Sequence, residues 1–156
     1  DKYNHYDVSE IGWKYNLDNI HSSLLINQLD RIENILIKRQ ELYKKYITSL
    51  KNIKKISFPE MPENSVSAHH LFVIIVNESE KRDYYIEQFQ NNSVPVAVNF
   101  NPIHLMSIYK KLYGYKKGDF PNAEKFGSSI ITLPFYTKLS ESDFNHIIKT
   151  AVSIFK

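Results

Sequence analysis

Cysteine is absent from this chain, and glycine is scarce. The lack of cysteine among the 156 residues excludes disulfides, thiolate metal ligands and a cysteine nucleophile. The four glycines are Gly12, Gly114, Gly118 and Gly127. They are not spaced like a glycine-rich loop whose backbone amides cradle phosphate groups. The sequence therefore predicts neither thiol chemistry nor a nucleoside triphosphate site.

Long apolar runs and one-sided charge are missing as well. The longest uninterrupted apolar run covers residues 71–76, far short of the roughly 20 residues that a membrane helix needs. The 20 basic and 17 acidic residues give a net charge of +3 and are spread along the chain. This pattern does not indicate nucleic-acid binding. We expect a soluble, cytoplasmic chain.

The chain contains six histidines, but their positions do not predict a metal site. Of the six histidines, His69 and His70 are adjacent on a predicted strand. Neighbouring strand residues point to opposite faces, so these two cannot chelate one ion. We expect a structural role for His69. A hydrolase also lacks support, because no G-x-S-x-G nucleophile elbow is present.

The length and the apolar periodicity predict one compact domain with long helices at its amino-terminal end. Apolar residues three and four apart along residues 17–36 predict one buried stripe, on one long helix or two in tandem over residues 17–50. At the other end, Ser140 and Asp143 form a capping-box pattern that begins an amphipathic final helix.

Between these helices the sequence alternates strands and short helices. Residues 53–58 predict an edge strand that ends at Pro59, and residues 70–76 predict a central strand buried on both faces. A helix over residues 80–90 precedes a second strand over residues 94–100. A short helix is predicted over residues 103–112, another begins at Pro121, and Leu133-Pro134 breaks the chain. The fold class is α/β or α+β.

Three polar stretches stand out against these hydrophobic elements. They read GWKYNL from residue 12, VNFNPIHL from residue 98, and GDFPNAE from residue 118, the last followed by Leu133-Pro134. In this order they resemble the DegT/DnrJ/EryC1/StrS family of aminotransferases, over almost the whole chain. In the second stretch Pro102 and His104 match the family pattern, whereas Asn99 replaces a residue that is often histidine.

The resemblance implies the carboxy-terminal small domain of an aspartate-aminotransferase-like, type I PLP fold, with a small, mainly antiparallel sheet. Residues 1–50 would form a connecting loop and interdomain helices, and residues 51–156 the small α/β domain. The large PLP-binding domain would lie outside this chain. It would carry the Schiff-base lysine and the aspartate that pairs with the pyridine nitrogen, so no catalytic residue is assigned here.

The resemblance also implies roles for four residues. Lys14 would lie near the phosphate of pyridoxal 5'-phosphate across a homodimer interface, and Asn16, Asn99 and His104 would contact substrate. Each role has a simpler alternative: Lys14 as an exposed surface lysine, the asparagines as loop or cap residues, and His104 as a residue that ties down its own loop.

Four other motif residues are expected to be architectural. They are Pro121, Ala123, Glu124 and Pro134. In particular, Glu124 would complement the dipole of its helix from the first turn.

The expected activity follows from the same resemblance. An intact homodimer would transfer an amino group, with glutamate as donor, to a keto-sugar carried on a nucleotide. The alternative is a non-enzymatic binding module for RNA or a protein partner. An RNA-binding sheet needs exposed aromatic residues on a central strand, whereas residues 71–76 are predicted to be buried.

Overall fold

The amino-terminal region forms two helices in tandem. The computed structural model describes residues 5–156, in which α1 spans Asn19–Leu29 and α2 spans Ile32–Leu50. The carboxylate of Asp18 caps α1 by accepting the backbone N–H groups of Ile20 and His21. The prediction of a helical region over residues 17–50 is confirmed.

The apolar stripe on these helices is not buried. No residue of α1 is buried, and Ile20, Leu24 and Leu29 are 78%, 66% and 67% exposed. The stripe that periodicity predicts to be buried is therefore exposed on α1 within residues 5–156. Part of its cover is expected from the large domain that the resemblance implies outside this chain. Burial begins only towards the end of α2, where Tyr46 and Leu50 are fully enclosed.

Three short strands form an antiparallel sheet. They are β1 (Ile56–Ser57), β2 (Phe72–Val76) and β3 (Ile130–Leu133), in the order β1-β2-β3. The edge strand and the central strand predicted from the sequence are both confirmed. On β2, one face is fully buried and carries Phe72, whereas the other face is half-buried and carries Val73. Burial is therefore less symmetrical than predicted.

The predicted strand over residues 94–100 is wrong. This segment makes a single β-bridge, between Ala97 and Thr132. Pro95 lies in the middle of the segment and has no backbone N–H to donate to a ladder. The third place in the sheet belongs instead to β3, whose four residues are all buried.

Four further helices complete the chain: α3 (Arg82–Asn91), α4 (Ser107–Tyr113), α5 (Pro121–Ser129) and α6 (Glu141–Ile154). The predicted helix over residues 103–112 is divided, because a 3-10 turn ends at Leu105 and the extended backbone of Met106 separates it from α4. Ser140 caps α6 by accepting the Asp143 N–H, as the sequence predicts.

An aromatic cluster joins the helices to the sheet. The ring of Tyr46 stacks on Phe72, with 4.4 Å between centroids, and meets Phe144 of α6 edge-on at 4.8 Å. Its hydroxyl donates a hydrogen bond of 2.7 Å to the Pro134 carbonyl. Mixed helices around a small antiparallel sheet match the predicted fold class, and the domain boundary at residue 50 stays a prediction. Over residues 5–156, no helix is long and apolar enough to cross a membrane.

Candidate functional site

The second and third polar stretches meet at one carboxylate. His104 Nε2 lies 2.9 Å from Oε1 of Glu124, and the same oxygen accepts the backbone N–H groups of Gly118 at 2.8 Å and Phe120 at 3.3 Å. These hydrogen bonds, led by the one with His104, lower the pKa of Glu124. Glu124 is therefore a connection between two loops, which its predicted role at the helix dipole did not include.

Close packing holds the same two segments together. A Cβ atom added to Gly127 of α5 would lie 2.6 Å from Cδ of Pro102, so only glycine allows this approach. From α3, the buried Arg82 donates to the Gly127 carbonyl at 2.9 Å and to the Ile130 carbonyl at 3.4 Å. Pro102 of the second polar stretch is thus fixed against α5, and α5 is fixed against the core.

Residues 5–8 support this loop from the outside. The Tyr6 hydroxyl accepts the Asn101 N–H at 3.1 Å, and an Asp7 carboxylate oxygen accepts the Ser107 N–H at 2.8 Å. Asp7 thereby caps α4, and its hydrogen bonds with Ser107, that of the hydroxyl first, lower the pKa of Asp7. Periodicity and local motifs contain no signal for these contacts, because the partners are about a hundred residues apart in sequence.

An aromatic groove opens beside His104. It has a volume of about 650 Å³ and is lined by Phe100, Asn101, Pro102, Ile103, His104, Tyr109, Tyr113, Tyr115, Phe120, Ala123 and Phe126. The rings of His104 and Phe120 are 4.8 Å apart, and those of Tyr115 and Phe120 are 5.5 Å apart. Flat apolar walls beside a few polar groups suit a ring-shaped ligand that carries hydroxyl groups.

The predicted site residues fall into two places. His104 is buried and Asn99 is half-buried, and both lie in the loop that borders the groove. Lys14 and Asn16 lie on an exposed segment before α1. Within residues 5–156, no hydrogen bond or ion pair joins Lys14 or Asn16 to the groove.

Lys14 has two large aromatic neighbours on its exposed segment. In sequence it stands between Trp13 and Tyr15, which are both 85% exposed. Such large exposed rings beside a cation are typical of a surface that a partner covers. The role of Lys14 at a cofactor phosphate stays a prediction.

His69, in the histidine pair before β2, packs against an aromatic ring, as expected for a structural residue. The predicted placement of His69 and His70 on a strand is wrong, since β2 begins at Phe72. The His69 ring stacks on Tyr43 with 4.1 Å between centroids, and burial, reinforced by Lys44, lowers the pKa of His69. Among residues 5–156, no three histidine, aspartate or glutamate side chains gather in a metal-binding arrangement.

This fold is that of the PLP-dependent aminotransferases. The PLP-form structure of Spr1654 from Streptococcus pneumoniae, assigned as a sugar aminotransferase, superposes with a TM-score of 0.80 at 29% identity. The match covers 96% of this chain and 38% of that one. A PMP-form of the same protein gives the same values.

The chain belongs to the DegT/DnrJ/EryC1/StrS aminotransferase family, whose model matches residues 1–152. It is 33% identical over 153 residues to the uncharacterized protein MJ1066 of Methanocaldococcus jannaschii, covering 96% of this chain and 40% of the relative. It is 29% identical over 156 residues to the spore coat polysaccharide biosynthesis protein SpsC of Bacillus subtilis, covering 97% and 40%. The chain thus spans about 40% of the length of these curated relatives.

Proposed function

We propose that this chain is the carboxy-terminal part of a pyridoxal-phosphate-dependent aminotransferase that transfers an amino group, with glutamate as donor, to a nucleotide-linked keto-sugar. One observation carries the proposal beyond family membership: His104 and Glu124 join two of the three family-like stretches at the border of the aromatic groove. The intact enzyme is a cytoplasmic homodimer in this proposal.

The cofactor, when bound, would supply the electron sink for moving the amino group between donor and sugar. The part of this chain in that chemistry is binding and orientation. Lys14 provides a compact positive charge for the cofactor phosphate. Asn16 and Asn99 offer amide donors and acceptors for a phosphate oxygen or a sugar hydroxyl, and His104 contacts the sugar from the groove.

The rival function, a binding module that uses an open sheet face for RNA, has less support. Val73 and Ile75 occupy the less buried face of β2, and neither is aromatic. Several exposed aromatic residues, among them Phe100, Tyr113 and Phe120, line the groove beside the second polar stretch. This location favours a small ligand over a nucleic-acid strand.

The role of Lys14 is tested by cofactor retention in the dimeric enzyme that contains this chain. Lys14→Ala removes a charge-assisted hydrogen bond worth roughly 1.5–3 kcal/mol, so the dissociation constant for pyridoxal phosphate should rise about 10- to 150-fold. Lys14→Arg should retain most of the affinity. Lys38→Ala, on the exposed surface of α2, is the matched control. Unchanged affinity in Lys14→Ala would make Lys14 an ordinary surface lysine.

The proposal that the cofactor-attachment lysine lies outside this chain is tested on the 156-residue chain alone. After incubation with pyridoxal phosphate and reduction with borohydride, mass spectrometry should find no stoichiometric adduct, because the proposal places the attachment lysine elsewhere. A stoichiometric adduct on one lysine of this chain would contradict the proposal. For the enzyme, transfer of ¹⁵N from labelled glutamate to a panel of nucleotide-linked keto-sugars tests both the donor and the acceptor.

A further inference from the structure

The two ring nitrogens of His104 have different surroundings. Nε2 lies 2.9 Å from Oε1 of Glu124, in a side chain that is only 7% exposed. Nδ1 forms no hydrogen bond with another residue of the range 5–156. It is not completely buried, so solvent or a ligand can reach it. His104 lines the aromatic groove, and Nδ1 is the ring nitrogen that has no hydrogen-bond partner within residues 5–156.

The acceptor that faces Nε2 is held in place. Oε1 of Glu124 also receives the backbone N–H groups of Gly118 and Phe120, which fix its position and favour its ionised form. A carboxylate accepts and does not donate, so the neutral imidazole must carry its proton on Nε2. Nδ1 then presents a lone pair and not an N–H.

We propose that Glu124 is a positioning residue that holds His104 as the Nε2–H tautomer, so that Nδ1 accepts a hydrogen bond from a sugar hydroxyl of a ligand in the aromatic groove. This inference deepens the proposed function and rests on it for the identity of the ligand. The ring of Phe120, whose centroid lies 4.8 Å from that of His104, lines the same groove and could pack against the ligand. A ligand group that can only accept would find no donor at Nδ1.

The tautomer can be measured without any cofactor or activity. Two-bond ¹H–¹⁵N spectra of the 156-residue chain, at a pH where His104 is neutral, should show a protonated Nε2 and a pyridine-type Nδ1. Glu124→Ala should shift His104 to a mixture of both tautomers. Glu124→Gln should restore the Nε2–H form, because the Gly118 and Phe120 N–H groups still orient the amide oxygen towards the ring.

The matched control is Asp119→Asn. Asp119 accepts the Lys116 N–H at 2.9 Å in the same turn but does not contact His104, so its substitution should leave the tautomer unchanged. Far-ultraviolet circular dichroism establishes that each variant is folded. An Nδ1–H or mixed form in the unmodified chain, or an unchanged tautomer in a folded Glu124→Ala variant, would overturn the positioning role.

Kinetics of the enzyme that contains this chain test the ligand. Glu124→Ala should raise KM for the nucleotide sugar roughly 2- to 10-fold, the loss of about one hydrogen bond, with a smaller change in kcat. A deoxy-sugar analogue that lacks the contacting hydroxyl should lose this sensitivity. If Glu124→Ala raises KM equally for the sugar and for the analogue, the proposed hydrogen bond between the sugar hydroxyl and Nδ1 is wrong. Absence of any amino transfer would overturn the proposed function itself, while the tautomer result would still stand.

Discussion

Replacing Gly127 by alanine tests how firmly α5 holds the second polar stretch, residues 98–105. The new Cβ would lie 2.6 Å from Cδ and 2.8 Å from Cγ of Pro102, distances that unstrained atoms do not adopt. The proline ring cannot rotate away, so the loop or the helix must shift. Such overpacking costs about 1–3 kcal/mol, whereas alanine gains about 1 kcal/mol over glycine in helix propensity. We expect a net loss between about 0 and 2 kcal/mol.

Urea unfolding of the 156-residue chain measures this change. The Gly127→Ala midpoint should fall while the slope stays constant, since the exposed area on unfolding is nearly the same. Ser128→Ala, one position further along α5 at an exposed site, should change the free energy of unfolding by less than about 0.5 kcal/mol. If Gly127→Ala is more stable than the unmodified chain, Pro102 is not rigidly held and the reasoning fails.

Three further outcomes follow from the structure. Tyr46→Phe should cost about 0.5–1.5 kcal/mol, because the Pro134 carbonyl loses its 2.7 Å donor; an unchanged urea midpoint would contradict this. The lowered pKa of Glu124 contributes stability that is complete above the ordinary glutamate pKa of 4.5 and is lost as the pH falls through the lower folded value. Melting temperatures should therefore fall with pH below about 4.5, and Glu124→Gln should flatten that decline; an equally steep decline in the variant would refute the linkage. The exposed stripe should drive self-association of the 156-residue chain, which light scattering should detect and which Leu24→Glu with Leu29→Glu should abolish; a monomeric unmodified chain at high concentration would exclude it.

The helices and the central strand could be predicted because their signals are local. The 3.6-residue periodicity and the caps at Asp18 and Ser140 lie within a few residues of what they determine. The strand β3 was not predicted, because its signal is not local. It follows α5 without a loop, so its buried run from Ile130 merges with the end of a helix, and only pairing with β2 distinguishes the two.

In the candidate site, too, the residues with a sequence pattern could be predicted and the long-range contacts could not. His104 and Asn99 could be proposed as site residues because their stretch resembles a family pattern, which carries information that periodicity does not. The contact of His104 with Glu124 could not be derived, since a glutamate in the first turn of a helix already has a sufficient local explanation in the dipole. Long-range contacts of Asp7 and Arg82 have no local sequence signal, and only the folded chain reveals them.

The exposure of α1 limits the stability of this helix. Its 11 residues bury no side chain, and helices shorter than about 12–15 residues are marginal in water when nothing packs on them. The Asp18 cap supplies local support but no tertiary contact. The helix–coil balance of α1 is therefore coupled to whatever covers Leu24 and its neighbours. Part of the interaction energy of that encounter is spent on ordering the helix, and amide hydrogen exchange in α1 should slow sharply when it occurs.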